Sequence, residues 1–142
     1  MLFRTAILVQ RVLLEEWVWP HFSISELACR CGGRFCHAEY WHDPLFLDAL
    51  EALRAEVGRP LIVTSGHRCD QWNAAVGGAP LSQHKTLAVD IALAGHDRHA
   101  LRKAANEQGF TGQGLARSFL HLDRRARPAI WYYGRSNEAW QI

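Results

Sequence analysis

The segment from Asp43 to Gly58 is the best-punctuated stretch of the chain, and it constrains what can be built around it. Asp43 has the side chain of a helix N-cap. Pro44 suits the first helical position, where its missing N–H is no loss, and Gly58 suits the left-handed stop. Between them Phe46, Leu50, Leu53 and Val57 fall on one face at helical spacing. Such a helix needs an apolar partner, and the next segment supplies one. Pro60 opens a strand, Leu61 to Thr64, that Gly66 ends.

The same signals parse the rest of the chain. Ser23 with Glu26 reads as a capping box for a short helix through Leu27. Cys29 to His42 reads as loop. Asp70 to Val76 reads as a short helix stopped by Gly77 and Gly78, and Asp97 to Gln108 as a helix stopped by Gly109. Ala88–Leu93, Ser118–Asp123 and Ile130–Tyr133 read as strands. Residues 1–19 carry many apolar side chains and read as a helical N-terminal extension ending before Pro20. Residues 20–142 form the functional domain. A chain of 142 residues fits one domain. The expected fold is α+β, a small, mainly antiparallel sheet with flanking helices.

Composition narrows the function classes. With 49% apolar and 11% aromatic residues the chain can build a core without staples. A net charge of +2 and no dense Lys/Arg block give no reason to expect a nucleic acid partner, although a mild basic excess suits an anionic polymer. The run Arg124, Arg125, Arg127 reads as solvated surface. No apolar stretch approaches the roughly 20 residues that span a bilayer, and no export signal is evident, so a product made in the cytoplasm is expected. Cys29, Cys31 and Cys36 form C-x-C-x4-C, with Cys69 apart. That spacing differs from the paired C-x2-C of common zinc sites, and free thiols are the default reading.

Two strands carry the chemistry. In Ala88–Leu93 the residues Val89, Ile91 and Leu93 share one face, leaving Asp90 on the other between two alanines. In Ser118–Asp123, Leu120 and Leu122 point one way, and Phe119, His121 and Asp123 the other. If these strands are neighbours, Asp90 and His121 converge with His84 from the preceding loop. Two histidines and a carboxylate are a usual catalytic zinc set, with a position left open for water. Spacing alone leaves a second reading open, in which a strand His and Asp are merely satisfied within the protein.

Several motifs in order add weight: His21-Phe22-Ser23-Ile24-Ser25-Glu26-Leu27-Ala28-Cys29, Val63-Thr64-Ser65-Gly66-His67-Arg68, and Trp72 to Ala79. Ser82-Gln83-His84 with Ala88-Val89-Asp90-Ile91, and Ser118 to Asp123, follow. Over roughly residues 20–135 they resemble the D-alanyl-D-alanine carboxypeptidase and phage endolysin family of zinc peptidases, related in fold to lysostaphin-type enzymes and the hedgehog signalling domain. The resemblance implies a Zn2+ site on the sheet face, held by His84, Asp90 and His121. It implies Arg68 as oxyanion stabiliser and Ser82 and Gln83 as substrate contacts. The implied substrate is the peptide stem of bacterial peptidoglycan, reached after release from the cell or as part of a phage-like particle.

Two features depart from the family pattern. His84 and Asp90 are six residues apart, where the family usually has seven with an intervening Gly. Ser118 stands where many relatives carry an acidic base, which makes Asp123 the candidate base. Asp123 as a partner that orients a ligand is the other reading. Competing functions are a zinc-stabilised wall-binding or virion module without activity, and a serine or cysteine hydrolase. The latter lacks a G-x-S-x-G elbow and an orienting partner for Cys69.

Overall fold

The computed structural model describes residues 1–5, 7–8, 13 and 16–141. It is α+β, as the alternation of signals implies. Among the described residues the strands are β1 (Leu2–Phe3), β2 (Tyr40–Trp41), β3 (Val63–Ser65), β4 (Val89–Ala92), β5 (Gly112–Leu115), β6 (Phe119–Asp123) and β7 (Ala129–Tyr132). The α-helices described end to end are α1 (Ile24–Leu27), α2 (Pro44–Val57), α3 (Asp70–Ala75) and α4 (Arg98–Glu107).

The helices begin where their caps dictate. The Ser23 hydroxyl accepts from Glu26 N at 3.3 Å while the Glu26 carboxylate accepts from Ser23 N at 2.6 Å, a complete capping box. Asp43 caps α2 through Phe46 N at 3.1 Å, and Gly58 closes it at φ 66°. Asp97 caps α4 through Ala100 N at 3.0 Å. Phe46, Leu47, Leu50 and Leu53 on α2 are all but fully buried. Each such side chain contributes about 1.5–3 kcal/mol through the apolar surface it removes from water. Phe46 meets Phe110, just beyond α4, edge to face at 5.4 Å.

The main sheet has the order β3-β4-β6-β5-β7. All its pairs are antiparallel except β5–β7, which is parallel. Val89 and Ile91 on β4 and Leu120 and Leu122 on β6 point into the core and are fully buried. The alternate residues turn to the opposite face, and the candidate site lies there.

Two segments differ from the sequence expectation. The helix expected over residues 1–19 falls partly outside the described residues, and at its start the chain is a strand. Leu2 and Phe3 pair with Trp41 and Tyr40 inside the stretch read as loop. Phe3 and Trp19 join the core there. Strand β5 was not anticipated at all, because Gly-Gln-Gly-Leu carries no β-branched or aromatic residue.

Candidate metal centre and cleft

Asp90 and His121 are direct cross-strand partners on β4 and β6. His84 reaches them from a short 3₁₀ turn, Gln83–Lys85, just before β4. The six-residue step from His84 to Asp90 is accommodated because this turn is clamped from outside. Arg68 N donates to His84 O at 2.6 Å, and the buried His67 ring bonds Thr86 O at 2.6 Å and Glu39 Oε1 at 2.9 Å. Ser82 caps the turn by accepting from His84 N at 3.2 Å.

Three ligand atoms meet at one point. His84 Nε2 and Asp90 Oδ1 are 3.1 Å apart, His121 Nδ1 and Asp90 Oδ1 3.1 Å, and His121 Nδ1 and His84 Nε2 3.0 Å. All three residues are buried. The outer ring nitrogens fix the tautomers. His84 Nδ1 lies 2.7 Å from Gly66 O, which can only accept, so Nδ1 carries the hydrogen and Nε2 turns a lone pair inward. His121 Nε2 lies 2.7 Å from the Asp123 carboxylate, so its Nδ1 lone pair also points inward. With both rings neutral, two imidazole lone pairs and a carboxylate oxygen face one another. That donor set fits a tetrahedral zinc with one open position.

The charges agree with this. Burial opposes the ionised form of Asp90, but the bonds from His121 and His84 outweigh it and hold its carboxyl well below the usual range. Burial likewise opposes the cation on His121, yet Asp123 and Asp90 raise its pKa above the ordinary value. The pocket thus favours positive charge at its centre.

A cleft of about 580 Å³ opens over the three ligands. Arg68, Ser82 and Gln83 line it. The Arg68 guanidinium stands 3.6 Å from Asp90 Oδ2 and is held by Ser65 Oγ at 3.2 Å and Asn73 Oδ1 at 3.3 Å. Asn73 in turn donates to Ala79 O at 2.9 Å, so it ties Arg68 to the loop that forms the cleft wall.

Asp123 does not stand where a base over the cleft would. Its carboxylate lies behind the His121 ring, fully buried, and does not line the cleft. It accepts from His121 Nε2 and, on the other side, from Arg125 N at 3.1 Å, Nε at 2.9 Å and Nη2 at 2.6 Å. Against the cost of burial, the Arg125 and His121 bonds hold it ionised, well below the usual carboxylate range. Sharing a strand face with His121 placed it beside the imidazole rather than beside the reacting space. That position fits the other reading of Asp123, a partner that orients the His121 ring.

Sequence reasoning also missed part of the wall. Arg125, read as solvated surface, lines the cleft and lies over the Trp131 ring at 4.7 Å. Trp131 packs on His121 at 5.1 Å, and Phe119 and Tyr133 continue the aromatic wall. The only sequence signal for this wall was the parallel neighbour β7, whose pairing through β5 could not be inferred.

No curated protein matches the chain. The family model described as Peptidase M15 matches residues 20–123, a span that holds all three converging ligands, Arg68 and Asp123. That match agrees with the resemblance to D-alanyl-D-alanine carboxypeptidase-type enzymes, and on its strength the chain belongs to the Peptidase M15 family of zinc-dependent metallopeptidases.

Proposed function

We propose that this protein is a zinc metallopeptidase that hydrolyses the peptide stems of bacterial peptidoglycan, as a carboxypeptidase or endopeptidase. The observation that carries the reading is the convergence of His84 Nε2, Asp90 Oδ1 and His121 Nδ1 at the floor of a cleft whose wall presents Arg68. Zinc, when bound by these three residues, supplies a Lewis acid that activates water near neutral pH.

The chain's own residues do the rest. Arg68 offers planar donors to a carbonyl oxygen that gains negative charge, and Asn73 and Ser65 fix that fork in advance. Asp123 keeps the His121 ring in the tautomer that presents Nδ1. Gln83 and Ser82 border the cleft where a substrate backbone or carboxylate would lie; part of the Ser82 hydroxyl's capacity is spent on the His84 turn. The wall of Phe119, Trp131 and Tyr133 suits the aliphatic parts of a stem peptide.

One observation favours a second reading. Among the described residues lining the cleft, Asp90 supplies the one carboxylate, and it is committed to the metal set, so a free general base is absent there. A zinc-stabilised wall-binding or virion module would need none. On the hydrolytic reading residues 20–142 are the peptidase domain and residues 1–19 an extension. On this reading the protein works on the wall after release or within a phage-like particle. Among the described residues no helix is long and apolar enough to cross a membrane.

The test is to incubate zinc-loaded protein with purified peptidoglycan fragments and weigh the products. Cleavage at D-Ala-D-Ala, D-Ala-diaminopimelate or L-Ala-D-Glu would each leave a distinct mass. Intact fragments together with tight wall binding would transfer the assignment to the non-hydrolytic module.

A further inference from the structure

A second cluster of ligand-type side chains lies outside the cleft. Cys29 and Cys31 follow α1, Cys36 closes the same loop, and Cys69 is the N-cap of α3. All four are free thiols, three of them buried and Cys36 half-buried. Their four Sγ atoms all lie within 4.8 Å of one another. Cys31 Sγ and Cys36 Sγ stand 3.5 Å apart.

Backbone N–H groups point at the sulfurs. Cys69 N points at Cys29 Sγ at 3.4 Å, Trp72 N at Cys69 Sγ at 3.4 Å and Glu39 N at Cys36 Sγ at 3.5 Å. Three of the four sulfurs thus accept from a backbone N–H, which fixes their positions. Charges of both signs, Arg4, Lys85, Glu39 and Asp70, border the same depression as Cys36 and Cys69, and Lys85 pairs with Asp70 at 3.3 Å.

We propose that Cys29, Cys31, Cys36 and Cys69 bind a second metal ion, a closed structural zinc separate from the catalytic one. Four sulfurs each about 2.3 Å from a tetrahedral ion stand about 3.8 Å apart, close to the spacing seen here. Four thiolates fill the coordination shell and leave no position for water, so the site is structural. Protons on the thiols leave as the metal enters. Two disulfides are the competing fate of four such thiols, but disulfides join sulfurs in separate pairs and have no need to gather all four at one point.

The site has a mechanical role. It fastens the loop after α1 to the residue directly following Arg68. His67 N already donates to Leu27 O at 2.8 Å, so Arg68 is anchored on both sides. This inference is independent of the hydrolysis reading, since it rests on other ligands.

The experiment measures metal on the full chain, purified under reducing conditions with zinc present. The wild type should hold two zinc ions and His121→Ala one. Cobalt exchanged into His121→Ala should show intense thiolate-to-cobalt charge transfer in the near ultraviolet. Cys31→Ser should lose one zinc while His84, Asp90 and His121 keep theirs. If Cys31→Ser fails to fold, titration of native wild type with an organomercurial decides: one zinc should be released as the thiols react. Absence of the sulfur band, mercurial reaction without zinc release, or a mass showing two disulfides in this reduced protein would overturn the proposal. Loss of the His-ligated zinc alone would refute the peptidase site and leave this one standing.

Discussion

Replacing Asp123 by Asn removes one charge from a carboxylate that accepts four hydrogen bonds, and the outcome can be worked out atom by atom. An amide has one acceptor and one donor end. If its oxygen faces His121 Nε2 and Arg125 Nη2, its NH2 meets the Arg125 N and Nε donors now 3.1 and 2.9 Å away, and donors oppose donors. If it turns over, NH2 faces His121 Nε2, drives the ring hydrogen to Nδ1 and blocks the lone pair aimed at the metal. Either arrangement weakens the centre. Loss of a carboxylate behind a ligating histidine costs about 10–100-fold in metal affinity, or about 1.4–2.8 kcal/mol. The Arg125 arm is a quarter exposed, so its share of lost stability is held to about 1 kcal/mol by solvent screening. The assay is a competitive zinc titration against a chromophoric chelator near neutral pH, followed by turnover per zinc-loaded molecule. The expected result is a weakened zinc Kd with turnover largely retained at saturating metal. An unchanged Kd with turnover abolished would refute this reasoning and return Asp123 to the role of general base.

Arg68→Ala should lower turnover by about 100-fold, as loss of an oxyanion donor does, and Arg68→Lys should not restore it, because the planar fork is lost; zinc content and melting temperature should hold, and a drop of only a few-fold would remove Arg68 from the chemistry. Leu120→Ala empties a fully buried site on the core face of β6 and should cost about 2–5 kcal/mol in denaturant unfolding; a loss well under 1 kcal/mol would show that this face is not core. Burial beside Phe3, Trp17 and Trp19 holds the His42 imidazole below its ordinary pKa. Its depressed pKa means the unfolded chain takes the proton first, so its contribution to stability is full above about pH 6.5 and is lost as pH falls. A nuclear magnetic resonance titration with the His42 midpoint at or above the ordinary value would contradict this.

What could be read from the sequence was what is encoded locally. Helix α2 has its cap, its proline and its glycine within one short window, and the structure follows them residue for residue. The alternation in β4 and β6 put Asp90 and His121 on the non-core face without knowledge of the fold, and the antiparallel pairing brought them together. Strand β5 was illegible because its glycines serve their neighbours. A Cβ at Gly112 would overlap the Asp123 carboxylate, and one at Gly114 would stand 2.7 Å from Tyr133 and 2.8 Å from Trp131. Two glycines spaced by two residues were the only hint that side chains approach that backbone closely. The role of Arg125 depends on β7 lying parallel to β5, a pairing set by the whole sheet. The thiol cluster was hidden for a similar reason: Cys69 comes from a segment forty residues beyond Cys29.

The direct pairing of Asp90 with His121 makes the metal centre a reporter of strand registry. A slip of one residue between β4 and β6 would bring the leucine face of one strand to the polar face of the other and leave no pair of ligands in line. A misaligned chain would also place an aspartate or a histidine among Leu120, Leu122 and Ile91, at a cost of several kcal/mol. A metal held by this set would therefore proofread refolding, binding the correctly aligned sheet and drawing the misaligned population toward it by mass action.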